Sequence, residues 1–295
     1  MAESVNNPTA SVIIPTLNAG CDIDPLLDLL EHQRHAPMEI LVVDSASDDD
    51  TVSRVAAHGN VRLLTIQRSD FNHGLTRDMA FRQTRGDYVL FLTQDAVPAD
   101  DRLIQNIMLP MIEDPLVAQV SGRQLPKNEA RPFERLVRTA NYPAESNKRA
   151  LVDVPKMGIK AFYTSDVCCC YRRSAYLKVG GFTRTDMSED MLMSIKLIKA
   201  GYRVAYAADA QVFHSHNFTP KQQFKRNKAV GIFLEEHADE LNGISEVGDG
   251  VGLVKHVSRQ LISKGQFGEL VAFGIDCTAR LLGNRAGRAL VRNRR

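Results

Sequence analysis

At 295 residues and 44 % apolar side chains, the chain is large enough for one big α/β domain or two smaller units, with apolar surface to bury in a core. A formal charge of +2 excludes the basic bias of a nucleic-acid binder, and five cysteines without paired spacing exclude a disulfide framework or a structural zinc site. No uncharged apolar run reaches the ~18 residues of a membrane-spanning helix, and residues 1–7 lack the basic and apolar parts of a signal peptide, so the expectation is a chain in the reducing cytoplasm, soluble or peripherally bound.

In chain order, residues 11–15 read as a buried strand. Asp24 and Pro25 follow as a helix cap and first helical residue, with Leu26, Leu29 and Leu30 on one face. Residues 39–44 form a second strand. Ser47 reads as the cap of the next helix, with Asp48, Asp49 and Asp50 at its positive end. Residues 61–66 are a third strand, Asn72-His73-Gly74 opens another helix, and residues 88–92 are a fourth strand running into Asp95. Strands separated by helices of this length predict parallel pairing, and ligands of such sheets bind beyond the carboxyl ends of the strands. Pro15, Thr16 and Asn18, Asp44 and Ser45, and Gln94 and Asp95 all fall at those ends.

The second half is less regular. Residues 126–160 read as an insertion or long loop, and 166–171 as a strand on which the adjacent Cys168, Cys169 and Cys170 alternate between faces. Residues 188–200 form a helix that opens on Glu189-Asp190, buries Met191, Ile195 and Ile198, and stops at Gly201. Residues 203–206 and 210–214 read as two short strands. Thr219 to Gln222 is a capping box, and the remainder is helical in pattern. Six arginines and no acid from Arg280 onward, interleaved with Leu281, Leu282, Leu290 and Val291, read either as an amphipathic contact with an anionic membrane or as a solvated basic tail.

Several side chains carry candidate chemistry. Asp95 is a metal ligand or a cap for a helix near Pro98. His214 and His216, two apart on a strand, share a face and either complete a metal shell or decorate an edge strand. His73 and Arg77 open a helix whose N-terminus attracts phosphate. Glu189 and Asp190 either complement the dipole of their helix or include a general base; neighbours on a helix diverge by about 100°, so Glu189 is expected to point elsewhere.

The segments Ser11 to Asn18, Ile40 to Ser45, Phe71 to Arg77, Leu92 to Ala96, Gly181-Phe182 with Ser188-Glu189-Asp190, His214-Ser215-His216 and Gln223 to Asn227 together resemble the family 2 inverting glycosyltransferases of GT-A fold, and within them the rhamnosyltransferases. The likeness spans roughly residues 10–235. It implies an α/β fold with a mostly parallel central sheet flanked by helices and a C-terminal helical extension. The expected domains are a catalytic one over 1–218, with a nucleotide-binding half at about 10–100 and an acceptor half at about 101–218, and a helical region with a basic tail over 219–295.

The resemblance also assigns roles. Asp190 becomes the catalytic base, and Asp95 with His214 and His216 the holders of a divalent cation, Mg²⁺ or Mn²⁺. Asp44 accepts the pyrimidine N–H in a pocket shaped by Pro15, Thr16, Asn18 and Ser45. Gln94, His73, Arg77 and Arg226 complete the donor contacts. Thr93 stands where many members carry the first aspartate of an Asp-x-Asp pair, and the form Thr93-Gln94-Asp95-Ala96 favours a deoxysugar, with dTDP-L-rhamnose as donor and a surface polysaccharide or lipid-linked glycan as acceptor. Asn227 in place of an aromatic after Arg226 implies transfer of one or a few sugars. Another nucleotide sugar such as a UDP-hexose, or a scaffold without activity, are the alternatives left open.

Overall fold

The computed structural model describes residues 8–241, 244 and 250–294. The N-terminal heptapeptide and Arg295, the last tail arginine, lie outside them. In chain order the elements are β1 (Ala10–Thr16), α1 (Ile23–Glu31), β2 (Glu39–Asp44), α2 (Thr51–Ala57), β3 (Val61–Thr65), α3 (His73–Arg82), β4 (Tyr88–Leu92), β5 (Val97–Pro98), α4 (Leu103–Glu113) and β6 (Val117–Leu125). They continue as α5 (Pro132–Asn141), β7 (Asn147–Arg149), α6 (Val154–Met157), β8 (Cys168–Arg172), α7 (Arg173–Lys178), α8 (Glu189–Lys199), β9 (Arg203–Phe213), α9 (Pro220–Glu236), α10 (Gly250–Ser263) and α11 (Phe267–Arg292). The chain divides into two compact units. One comprises residues 8–124, 144–151 and 162–214; the other comprises 125–143, 152–161 and 215–294.

The first unit is built on a sheet of order β3-β2-β1-β4-β8-β6-β9-β5, with β7 on β9. β3, β2, β1 and β4 are parallel. The apolar runs of β1, β2 and β4 are buried on both sides, as a sheet sandwiched between helices requires, while the edge strand β3 is only partly covered. From β1 the chain steps to β2 and β3 on one side and then returns to β4 on the other, so the carboxyl end of β1 is a topological switch point. Beyond β4 the sheet turns antiparallel through β8 and β6. Two apolar layers cover it, and β8 splits between them as its alternation predicts: Cys168 and Cys170 face one, Cys169 the other.

Several local expectations are corrected. α1 begins at Ile23 behind Asp22, so Asp24 and Pro25 lie inside its first turn. α2 is preceded by Asp50, while Ser47 turns back to Asp44. β9 is one strand of 11 residues where two short ones are predicted, because Ala207, Ala208 and Ala210 are small and buried and let it pass under α4 without a break. The β8 strand starts at Cys168, which leaves Asp166 in the loop before it. Residues 126–160 carry α5, β7 and α6, so the proline at 132 starts a helix. β9 ends at Phe213, and His214 and His216 follow it outside any strand. Residues 97–98 are the short β5, so Asp95 caps no helix there.

In the second unit α9 and α11 pack so closely that a Cβ on Gly231 would meet the Asn284 carbonyl oxygen at 2.2 Å, and one on Gly287 the Lys228 carbonyl oxygen at 2.1 Å. α9 opens with the expected capping box, Thr219 against Gln222. Phe133 and Val137 of α5, Val257 and Leu261 of α10 and Phe273 of α11 form an apolar cluster of their own.

Candidate active site

The ends of β1, β2 and β4 are joined by side chains. Asp44, at the last position of β2, is fully buried. Its carboxylate accepts hydrogen bonds from Thr16 Oγ1 at 3.1 Å, from the Ser47 amide at 2.9 Å and from Ser47 Oγ. The Ser45 amide donates to the Thr16 carbonyl at 2.9 Å. The Gln94 side chain clamps the residue after β1, accepting from Leu17 N at 2.8 Å and donating to Leu17 O at 3.2 Å. Asn18 is exposed, holds φ at 53°, and accepts from Asp48 N at 2.9 Å. Pro15 is half-buried within β1. Asn18, Ala46 and Ser188, the non-glycine residues with positive φ among those described, lie after β1, after β2 and immediately before α8. Each such residue costs about a kilocalorie or more, and they gather around one end of the sheet.

Asp95 follows β4. Its Oδ2 lies 3.4 Å from His214 Nε2. The other ring nitrogen of His214 is 3.0 Å from Gln124 Oε1, and Gln124 Nε2 donates to Ser165 Oγ at 3.0 Å. The loop before β8 also meets the end of β4 directly, where Thr93 N donates to Val167 O at 3.2 Å. One residue away, Asp166 N donates to Asp190 Oδ2 at 3.1 Å. Residues 165–167 therefore form a short bridge with Asp95 and His214 at one end and Asp190 at the other.

Asp190 sits in the first turn of α8, with its other oxygen accepting from Met191 N at 2.6 Å. Around it are Arg77, Asp166 and Glu189, each buried. Arg77 reaches Glu189 at 3.2 Å and Asp166 at 3.5 Å, and its Nη1 donates to His73 Nδ1 at 3.2 Å. Tyr171 donates to Asp166 Oδ1 at 2.6 Å. Burial and then the Glu189 charge push the Asp190 carboxyl up to about 7. Burial, with Asp190 and Glu189 beside it, pushes the Asp166 carboxyl well above the usual carboxylate range, against the pull of Arg77. Beneath, Gln119 Nε2 donates to the Asp190 carbonyl at 3.2 Å and accepts from Ser194 Oγ at 2.8 Å through its own carbonyl.

The structure thus gathers Asp44, Ser45 and Thr16 in one hydrogen-bonded group with Gln94 on the next residue, Leu17, pairs Asp95 with His214, and sets Arg77, with His73 on it, against Glu189 and Asp166 beside Asp190. Glu189, expected to point away, is part of the Asp190 cluster, because it pairs with Arg77 of α3. Arg77 is held by carboxylates and is 5 % exposed. In the second unit, Arg226 lies over the Phe218 ring, 5.7 Å from its centroid, and Phe218 stacks on His216 at 4.8 Å.

Asp166, Gln119 and Gln124 carry no signal in the sequence, since their importance depends on β8 and β6 running antiparallel to the strands before them. The direction of β8 would have sufficed for Asp166: a strand antiparallel to β4 must begin where β4 ends.

Asp95 and His214 offer one carboxylate oxygen and one imidazole nitrogen within 4.8 Å of each other, a mixed O/N pair that suits Mn²⁺ better than Mg²⁺.

Comparison with known proteins agrees with this architecture. The family model described as glycosyl transferase family 2 matches residues 11–180. The O-antigen chain rhamnosyltransferase RfbN of Salmonella typhimurium is 42 % identical over 225 residues, covering 76 % of this chain and 71 % of RfbN. The O-antigen chain rhamnosyltransferase WbaN of Salmonella anatum is 38 % identical over 229 residues, covering 77 % of this chain and 72 % of WbaN. Among solved structures, the mannosyltransferase PcManGT of Pyrobaculum calidifontis, in complex with GDP-Man and Mn²⁺, superposes with a TM-score of 0.63 at 19 % identity over 98 % of this chain and 88 % of that one, a likeness of GT-A fold. With this fold and these relatives, the chain is a glycosyltransferase and belongs to glycosyl transferase family 2.

Proposed function

We propose that the protein transfers L-rhamnose from dTDP-L-rhamnose, with inversion, to a hydroxyl of a bacterial surface polysaccharide or its lipid-linked precursor, at the inner face of the plasma membrane. The observation that carries this reading is the bridge of residues 165–167, which sets Asp95 and His214 at one end and Asp190 at the other. A bound nucleotide sugar needs its departing diphosphate and its attacking hydroxyl handled at separate points, and the bridge spaces them within one rigid frame.

Asp190 is the base. Its carboxylate takes the proton of the acceptor hydroxyl as that oxygen forms its bond to the anomeric carbon, while the bond to the diphosphate breaks on the other face. Positioned general bases contribute about 10²–10⁴-fold to such steps. Arg77 and Asp166 set the charge around Asp190, and His73 positions Arg77. Asp95 and His214 would hold a divalent cation, which would neutralise charge on the diphosphate leaving group; His216 is assigned to it on the resemblance alone. Thr16, Asp44, Ser45 and Gln94 fix the nucleoside pocket, lined further by Pro15 and Asn18. Asp44 Oδ2 accepts one bond, from the Ser47 amide, and keeps a lone pair for the pyrimidine N–H. Arg226 is assigned to the diphosphate or the acceptor on the resemblance alone. The catalytic part is the first unit.

The test is a panel of dTDP-rhamnose, UDP-hexoses and GDP-mannose with Mn²⁺, Mg²⁺ or chelator, read as nucleotide release. Selective, cation-dependent turnover of dTDP-rhamnose is expected; preference for a UDP-hexose overturns the donor, and no turnover or binding of any nucleotide sugar overturns the enzyme.

A further inference from the structure

The arginines from Arg280 onward suggest a free basic tail, but the structure spends several of them internally. Arg280 pairs with Asp276 at 2.7 Å. Arg288 and Arg292 both reach Glu235 of α9, at 3.6 and 2.8 Å. These contacts, with Gly283 and Gly287 against α9, fix which side of α11 faces inward. The opposite side is unusual. Phe267, Val271, Ile275, Leu281 and Leu282 are all exposed, Phe267 at 63 % and Val271 at 64 %. Spacings of four, four and seven residues from Phe267 to Leu282 place them on one helical stripe about 23 Å long.

On α10, α11 and the turn between them, the exposed charge has one sign; the same unit carries exposed acids at Glu236, Asp239 and Glu240, at and just past the end of α9. Among the described residues of α10, α11 and the turn between them, the acids are Glu269 and Asp276, and both are ion-paired, Glu269 with Arg131 at 2.9 Å and Asp276 with Arg280. The exposed charges there, apart from Arg292 on Glu235, are Lys255, Arg259, Lys264, Arg285 and Arg294. Exposed Val251 and Ile262 on α10 extend the apolar character. An apolar stripe this large is rare on a surface that meets only water, and α10 and α11 themselves place no exposed acid beside it.

We infer that the outward stripe of α11, with the cations of α10 and Arg285 around it, docks on an anionic lipid bilayer. This rests on the membrane-bound acceptor proposed above and replaces the basic tail by a folded helical surface as the contact. The apolar side chains enter the boundary between headgroups and acyl chains, and the cations meet lipid phosphates. A second copy of the chain is disfavoured as occupant, because two such faces would bring like charges together.

The test is flotation of the full chain with liposomes of phosphatidylglycerol and phosphatidylcholine, or of phosphatidylcholine alone, scored together with nucleotide release from dTDP-rhamnose. The wild type is expected to float with the anionic liposomes and at least tenfold less with the neutral ones. Val271→Ser with Ile275→Ser should cut partition about tenfold or more, and Arg259→Glu with Arg285→Glu should remove the preference for anionic lipid. Both variants should keep the helical circular dichroism and the nucleotide release of the wild type. A wild type that stays at the bottom of the gradient with both liposomes, or a serine variant that floats like the wild type, overturns the proposal. So does a wild-type dimer that the serine pair turns into a monomer without any flotation. Flotation without nucleotide release would instead overturn the donor reading and leave the docking surface intact.

Discussion

Asp190 owes its chemistry to three neighbours, and those neighbours set its pH dependence. Its carboxyl is held near 7 by burial and by Glu189, so transfer should rise with pH through that region as the base loses its proton; kcat/KM measured from pH 5 to 9 should show this acidic limb. The stability relation runs the opposite way. A carboxyl whose folded pKa is raised binds more protons folded than unfolded, so it favours the folded state below the unfolded value near 4, and that contribution is lost as pH rises through the folded value. Asp190→Asn should therefore abolish transfer, by about 10²–10⁴-fold or more, keep donor binding, and melt higher than the wild type at pH 8. An Asn variant that melts lower there would mean that the carboxylate is stabilised by Arg77 more than burial costs it. The residue scale also marks where the sequence stops informing. Asp95, Asp44 and Asp190 are legible because they punctuate apolar runs. Asp166 and Glu189 are not, because nothing local distinguishes them from ordinary loop and helix-start acids; only the approach of Arg77 from α3 does.

Elements were legible where periodicity is strong. β1, β2 and β4 are uninterrupted apolar runs buried on both faces, and α8 shows its buried stripe plainly. β6 hides because Gln119, Ser121 and Gln124 occupy buried positions in it and break the hydrophobic pattern; they serve the network beneath Asp190 and beside His214. Gln124 ties the His214 ring to the 165–167 bridge, so Gln124→Ala should leave the fold intact and weaken Mn²⁺ binding about 10–100-fold, as loss of a hydrogen bond that orients a ligand does; calorimetric titration with MnCl₂ plus nucleotide reads it. Unchanged affinity would free His214 from metal duty. At α9 and α11 the contact tolerates no side chain at Gly287, and Gly287→Val should cost about 1–3 kcal/mol or more in urea denaturation through overpacking against the Lys228 carbonyl.

At the largest scale, the sheet of the first unit joins a parallel half, which the sequence displays, to an antiparallel half, which it conceals. Helices between the first four strands demand crossovers and so force parallel order. β8 and β9 come after irregular segments that impose no direction. The site lies where the halves meet, at the paired ends of β4 and β8, which is why its first-half members could be read in advance and its second-half members only in part. Ligand linkage offers a global check. A donor present at 100 times its Kd should stabilise the chain by about 2.7 kcal/mol, and the melting temperature should climb with dTDP-rhamnose and Mn²⁺ together more than with either alone. The cysteines lend a further use. Cys168, Cys169 and Cys170 are sealed inside the sheet, Cys277 is partly covered, and Cys21 is exposed, three positions beyond Asn18. A maleimide dye would attach there first, placing a fluorescent reporter beside the proposed sugar-nucleotide pocket without any engineered thiol.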